Sequence, residues 1–470
     1  MQGEVYSVTF TGFNLTDTLR NTVSAEIKCV ETIGKTAKID VFANDSLIST
    51  STGNNLLLSW NTLTSKDAVY TIKVVASDNA GNKKEVTKKA VVSNALLTIE
   101  KEVIIGAFHE SADYVITDAD GKILNTAQFK KGSDNNTVSI YPTTAFEGNE
   151  IHIIRAVKNP KTLMECFLNV KRGTVLSNRI ILAQLKYPNK TGPIPFNLEN
   201  VPAYDFLTVS TDGIAPTYPG GNYPFIVYSQ ESRVLVQIEK DNKTLHHIFD
   251  IPKGISDLTL DASLCLTPSV SKTINLPFSV QSGNVSISGK PYKGFDEQYQ
   301  VENKKFNGDK VKVYFPDNFF QKMEAIIRIP TKNAHYTNFY LNQIPENVEN
   351  VDITAILRNK SLFDFQVEFG GQFSHYRSAF INKSSYFQTV EPDFVELLIY
   401  GSPGKNQFTF PEIGSAPGFS WFKAEDFKFI QLQLYKYNKP TDKTIMFNAS
   451  GNLIVPTGVS EVTIADIVVN

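Results

Sequence analysis

Cysteine is scarce. The 470 residues hold three, Cys29, Cys166 and Cys265, far apart and with no CxxC spacing. That pattern signals neither a zinc knuckle nor a disulfide framework. Tryptophan is scarcer still, at two residues, and methionine stands at four. No apolar run approaches the roughly 18–20 residues of a membrane-crossing helix. An excess of charge of one sign is also missing. Lys+Arg number 46 and Asp+Glu 48, a net charge of −2, so no whole-chain field attracts nucleic acid or acidic lipid. The basic pairs Lys83-Lys84 and Lys130-Lys131 are short and read as solvated turns and edges. Helical periodicity is nearly absent: no long window sets good helix formers at i, i+3, i+4 and i+7.

What is present is strand-forming. There are 32 Phe and 19 Tyr, with 41% hydrophobic and 20% charged residues, enough to bury real cores. Period-two alternation recurs along the chain. Tyr70, Ile72, Val74 and Ala76 share one face, and Ile430, Leu432 and Leu434 oppose Gln431, Gln433 and Tyr435. Cys29 alternates with Val23, Ala25 and Ile27 and is expected in a core as a small hydrophobe. Asp120-Gly121, between two apolar stretches, reads as a type I′ hairpin turn. Many short strands with regular turns predict an all-β chain of tandem immunoglobulin-like β-sandwiches. At sandwich length, five domains fit: residues 1–94, 95–186, 187–268, 269–360 and 361–470. Linkers between them look short, which predicts limited bending.

One internal pattern repeats. Ile251-Pro252, Ile344-Pro345 and Val455-Pro456 are each followed by apolar residues 3, 6 and 8 positions after the proline: Ile255, Leu258 and Leu260; Val348, Val351 and Ile353; Val459, Val462 and Ile464. Proline cannot donate to a ladder, so it closes one strand or opens a turn. The residue at +3 is then expected to plug the turn into the core, and the last two to begin the next strand. The prolines are spaced by about a sandwich domain's length, placing domain boundaries near 268 and 360.

The N-terminal segment carries the one specific motif. Ser59-Trp60-Asn61-Thr62 leads to the run from Ala68 through Tyr70, Ile72, Val74 and Ala76 to Asp78-Asn79-Ala80-Gly81-Asn82. Over residues 20–92 this closely resembles bacterial immunoglobulin-like domains, whose pattern runs W-x-T, then Y-x-I/L-x-V-x-A-x-D-x-A-G-N. Ser65-Lys66-Asp67 departs from the family's Asp-Gly before the tyrosine. The resemblance implies a spacer or partner-binding module, not a catalyst. Phrases such as Val115-Ile116-Thr117-Asp118-Ala119-Asp120-Gly121-Lys122 and the Asn/Lys/Thr-rich turns resemble surface lipoproteins of Bacteroidetes. Asp17-Thr18-Leu19 and Asp45-Ser46-Leu47 are similar to that phylum's O-glycosylation motif. The start, Met1-Gln2-Gly3-Glu4, has neither a charged nor an apolar signal region: either no signal peptide exports the protein or, the favoured expectation, a signal sequence has been trimmed from before residue 1.

Chemistry-bearing patterns are thin. Six histidines occur, His109, His152, His246, His247, His335 and His375, none at metal-ligand spacing. No nucleophile elbow, phosphate loop or dinucleotide glycine motif is found, and no enzyme, cofactor or metal site is expected. Acidic pairs such as Asp364/Glu368 and Asp393/Glu396 occur in any chain this long. Asp118 and Asp120 are the best local calcium candidates, set against a plain hairpin turn. Aromatic loops are the better binding candidates. Tyr218 and Tyr223 lie in a Pro/Gly segment at 216–225, and Phe419 and Trp421 in another at 411–422.

The expected function is therefore a non-catalytic cell-surface structural or interaction protein presenting tandem immunoglobulin-like domains, extracytoplasmic and at the outer-membrane surface. Its expected partner is an envelope protein or an extracellular glycan, with no nucleic-acid role and no transmembrane segment. The alternatives are a surface glycan-binding protein of a polysaccharide-uptake system and a phage virion or fibre protein.

Overall fold

Alternating apolar residues cannot bury one face of an isolated strand, so each strand here finds partners on both sides or a second sheet above it. The computed structural model describes residues 5–12, 18–31, 36–100, 110–130, 137–159, 161–176, 194–211, 225–227, 233–252, 255, 258–290, 299–350, 352–382, 394–439 and 458–468. Among these residues the elements are strands and three short 3₁₀ turns. The chain is all-β. It divides into two compact units: residues 1–178, 385–397 and 410–424 form unit 1, and residues 179–384, 398–409 and 425–470 form unit 2.

Unit 1 begins with the immunoglobulin-like sandwich. One sheet pairs Val5–Thr11, Thr22–Glu31 and Asn55–Asn61. The other runs Thr18–Leu19, Lys83–Val92, Ala68–Asp78, Thr36–Ala43 and Ser46–Thr52, with its short first strand parallel to Lys83–Val92. Ile72, Val74 and Ala76 are buried as their alternation predicts, and Cys29 and Trp60 join Ile27, Ile39, Val41 and Leu58 in the same core. Tyr70 meets Trp60 edge-on, at 5.4 Å between ring centroids. All three cysteines are buried and none forms a disulfide, and burial pushes the Cys265 thiol up to about 11.

Turn chemistry corrects one expectation. In the Asp118–Lys122 turn only Gly121 has positive φ (86°), so Asp120-Gly121 is not type I′. Instead the Asp118 Oδ1 accepts from the amides of Asp120 and Lys122 at 3.0 and 2.8 Å. Asp78 does the same for Ala80 and Asn82 at 2.8 and 2.9 Å, with Gly81 also at φ 86°. One aspartate-capped turn is thus used twice. True two-residue hairpins with both φ positive sit at Asn44-Asp45 and Asp241-Asn242, where Asn and Asp tolerate the left-handed region.

A single sandwich topology recurs downstream. In unit 1, Leu97–Glu100 lies between Thr137–Ile140, antiparallel, and Thr174–Leu176, parallel. The facing strands run in the order Ile123–Lys130, Ser111–Thr117, Glu150–Asn159, Lys161–Lys171. In unit 2, Ile194–Glu199 sits between Phe225–Val227, antiparallel, and Leu258–Asp261, parallel. Phe206–Thr211, Arg233–Lys240 and Lys243–Asp250 face them in that order. The next sandwich merges elements: Val270–Lys290 and Tyr299–Phe315 are single long strands whose pairing shifts register between Asn275 and Gly283. Asn275 again has a parallel neighbour, Asn347.

The first two Ile-Pro segments fall at one place in this plan, before the parallel strand. Ile251, Ile344, Val348 and Val459 are buried and Ile255 packs against its core. Val351, Val455 and Pro456 lie outside the described residues.

The far part of unit 2 places residue 360 inside the hairpin Thr354–Asn359/Phe365–Gly370. Its last strand, Glu461–Ile467, pairs with Lys428–Tyr437 on one side and Ala334–Tyr340 on the other. Two neighbouring sandwiches therefore share one continuous sheet. His375 is buried here, its ring stacked on Tyr435 at 4.6 Å and 9°. Burial, with a smaller push from the Arg377 cation, drives the imidazole down to about 3. Unfolded histidine takes up a proton near pH 6.5, whereas this one stays neutral. Stability is therefore present above pH 6.5 and is lost as pH falls from there towards 3, by up to about 1.4 kcal/mol per pH unit. Urea unfolding at pH 7, 5.5 and 4 should show this slope, and His375→Phe should flatten it.

Candidate ligand-binding surface

The second tryptophan lies in the segment 410–424 of unit 1. Three consecutive turns shape it: Ala416 N–H donates to Ile413 O, Phe419 N–H to Ala416 O, and Phe422 N–H to Phe419 O, at 2.8–3.0 Å. These turns send alternate aromatics in different directions. Phe410, Phe419 and Phe422 are buried at 2%, 0% and 5% exposure, whereas Trp421 is 37% exposed.

Trp421 is held from behind. Its indole N–H donates to Gly418 O at 2.7 Å. Its ring lies 6.1 Å from Phe419 at 25°, and Phe422 meets it edge-on. Gly418 has φ 86°, and a Cβ there would lie 2.8 Å from both Asp113 Oδ2 and Gln128 Nε2. Only glycine fits. The close approach brings a carboxylate and an amide beside the loop, and Lys158 Nζ is 3.5 Å from Asp113 Oδ2. The result is a rigid, partly exposed indole with mixed polar groups at its base. Such a plate stacks on a flat apolar ligand face and loses little entropy in doing so.

The four aromatic candidates separate here. Trp421 is partly exposed. Phe419 does not: it is fully buried, and its side chain fills the core behind the tryptophan. Tyr218 and Tyr223 lie outside the described residues. Asp113, Gln128 and Gly418 were not legible as site residues, because nothing in the local sequence of either segment announces their meeting.

The other candidates have structural tasks. Asp118 is occupied by the two turn amides. Glu368 forms a two-pronged pair with Arg358, at 2.8 and 2.6 Å, and Asp364 accepts from Gln366, Asn359 and Gln407. These partners, Arg358 and Gln366 foremost, hold both carboxyls below their ordinary range, the opposite of what a general acid needs. Asp393 lies outside the described residues. His246 is buried with Nδ1 3.0 Å from Ser269 Oγ. No group of three or more His, Cys, Asp or Glu among the described residues is arranged to hold a metal ion. None of their helices is long and apolar enough to cross a membrane.

No protein-family model matches this chain, and no characterised protein matches its sequence. Solved structures do align with it at low similarity. Fibronectin(III)-like modules of Clostridium thermocellum CbhA match at 12% identity over 33% of this chain and 86% of theirs, with a TM-score of 0.16. SGBP-B of the Bacteroides ovatus mixed-linkage glucan utilization locus, in complex with a mixed-linkage heptasaccharide, matches at 10% identity over 67% and 93%, with a TM-score of 0.17. A tetra-tandem repeat from the extending region of a large adhesion protein matches at 10% identity over 92% and 94%, with a TM-score of 0.17. Likeness at this level assigns no function.

Proposed function

We propose that this chain is a non-catalytic, extracytoplasmic binding protein whose tandem sandwiches carry a glycan-binding surface at Trp421. The observation behind it is the indole itself: part-exposed, backed by Phe419 and tied to Gly418. Sugar rings offer apolar C–H faces that stack on such a plate, while their hydroxyls can meet an exposed polar group such as Gln128. A glycan array and polysaccharide pull-down with the purified chain test it. At least one glycan should bind, and Trp421→Ala should weaken it tenfold or more, about 1.4 kcal/mol, with unchanged thermal unfolding. Binding that survives in Trp421→Ala, or no binding to any glycan, overturns the reading.

A protein partner in the envelope is the second reading. Val69 and Val91, cross-strand neighbours in the N-terminal sandwich, are 59% and 38% exposed, an apolar pair suited to a contact. Cross-linking on intact envelopes would identify such a partner.

A further inference from the structure

Unit 2 contains a polar cleft where the shared sheet is built. Three adjacent strands set their side chains in rows across it. Asn338, Thr463 and Lys436 are register partners, and Tyr340 is paired with Glu461. Asn438 and Glu349 complete a cleft of about 40 Å³, room for roughly three water molecules.

The groups are fixed in position. Thr463 Oγ1 donates to Asn338 Oδ1 at 2.9 Å, and Asn338 is 2% exposed. Glu461 Oε1 accepts from Gln343 Nε2 at 2.9 Å. Asn438 is tied to Ser460 through both ends of its amide, at 2.8 and 3.2 Å. Lys436 Nζ stands 3.7 Å from Glu349, with the lysine 34% exposed and the carboxylate 74%. Burial and the two nearby carboxylates keep the Tyr340 phenol protonated.

This set selects by charge. Two carboxylates repel an anion, Lys436 offsets one of them at 3.7 Å, and a buried asparagine floor offers hydrogen-bonding atoms. What fits is a neutral group that both donates and accepts: adjacent hydroxyls donating to Glu461 or Glu349 and accepting from Lys436. We infer that this cleft is a second ligand site, which takes the vicinal hydroxyls of a neutral sugar residue. It shares a ligand class with the Trp421 surface but rests on different residues, in the other unit.

The test is saturation-transfer NMR on the full chain with glucose, galactose and mannose, and with glucuronate and glucosamine as charged controls. At least one neutral hexose should bind at millimolar concentration. Lys436→Met and Glu461→Gln should each weaken it tenfold or more, while Trp421→Ala leaves it unchanged. The two cleft variants are independent, so if one fails to fold the other decides. The inference is overturned if no neutral hexose binds, if only a charged sugar binds, or if binding survives both cleft variants. It is equally overturned if binding disappears in Trp421→Ala alone. That last result would leave the Trp421 reading standing, so the two sites are judged separately.

Discussion

Glu165→Ala is expected to cost about 3–5 kcal/mol of folding stability, a large part of what a domain usually has. Glu165 is 0% exposed and Arg155 7%. They are cross-strand partners between Glu150–Asn159 and Lys161–Lys171. Arg155 Nε donates to Glu165 Oε2 at 2.9 Å, and its Nη2 donates to the same oxygen. Tyr114, register partner of Arg155 and 1% exposed, completes the row. Removing the carboxylate leaves a guanidinium in an apolar interior, and that stranded charge carries most of the penalty. Arg155→Met with Glu165→Leu removes both charges and should recover most of the loss. Urea unfolding followed by tryptophan fluorescence is a suitable readout, since Trp60 and Trp421 both belong to unit 1. A cost below 1 kcal/mol for Glu165→Ala would mean that water reaches the pair.

Phe365→Ala should be nearly as damaging to unit 2, at about 3–5 kcal/mol. Its ring is 0% exposed and stacks on Phe408 at 4.7 Å and 21°. Phe380 and Phe429 each lie 6.0 Å away. Phe365 also pairs with Phe408 across strands, so the cavity would open where the three-stranded sheet is joined. Phe363, two residues earlier, is 46% exposed, and Phe363→Ala should change stability by less than about 0.5 kcal/mol. Hydrogen exchange at the Thr354–Asn359/Phe365–Gly370 hairpin would read both variants. Equal effects would refute the assignment of Phe365 to the core.

Much of the local structure was legible because it follows from short-range rules. The stripe Ile72, Val74, Ala76 needs only period two, and the burial of Cys29 follows from its neighbours. The aspartate-capped turns were found as turns, but Asp120-Gly121 was given the wrong type, because the governing contact is made by Asp118 four residues before Lys122. The hairpins at Asn44-Asp45 and Asp241-Asn242 lack glycine, the usual signal. The recurring sandwich topology was mostly hidden. It is a repeat of strand order, which unrelated apolar residues satisfy equally well. In the candidate surface, Phe419, Trp421 and Phe422 are interchangeable by composition, and only the chain of tight turns decides which ring faces outward. Asp113 and Gly418 lie far apart in sequence, so their meeting is a tertiary fact.

The double-sided strand Glu461–Ile467 has a consequence for the order of assembly. Thr463 reaches Asn338 across 125 residues of chain, and the same strand serves Lys428–Tyr437 on its other edge. Until it is in place, Ala334–Tyr340 and Lys428–Tyr437 each present an unpaired edge, open to pairing with other chains. A chain emerging from the ribosome thus keeps unit 2 incomplete until residue 467 has emerged. That delay leaves both edges open to pairing with other chains while the protein is being made.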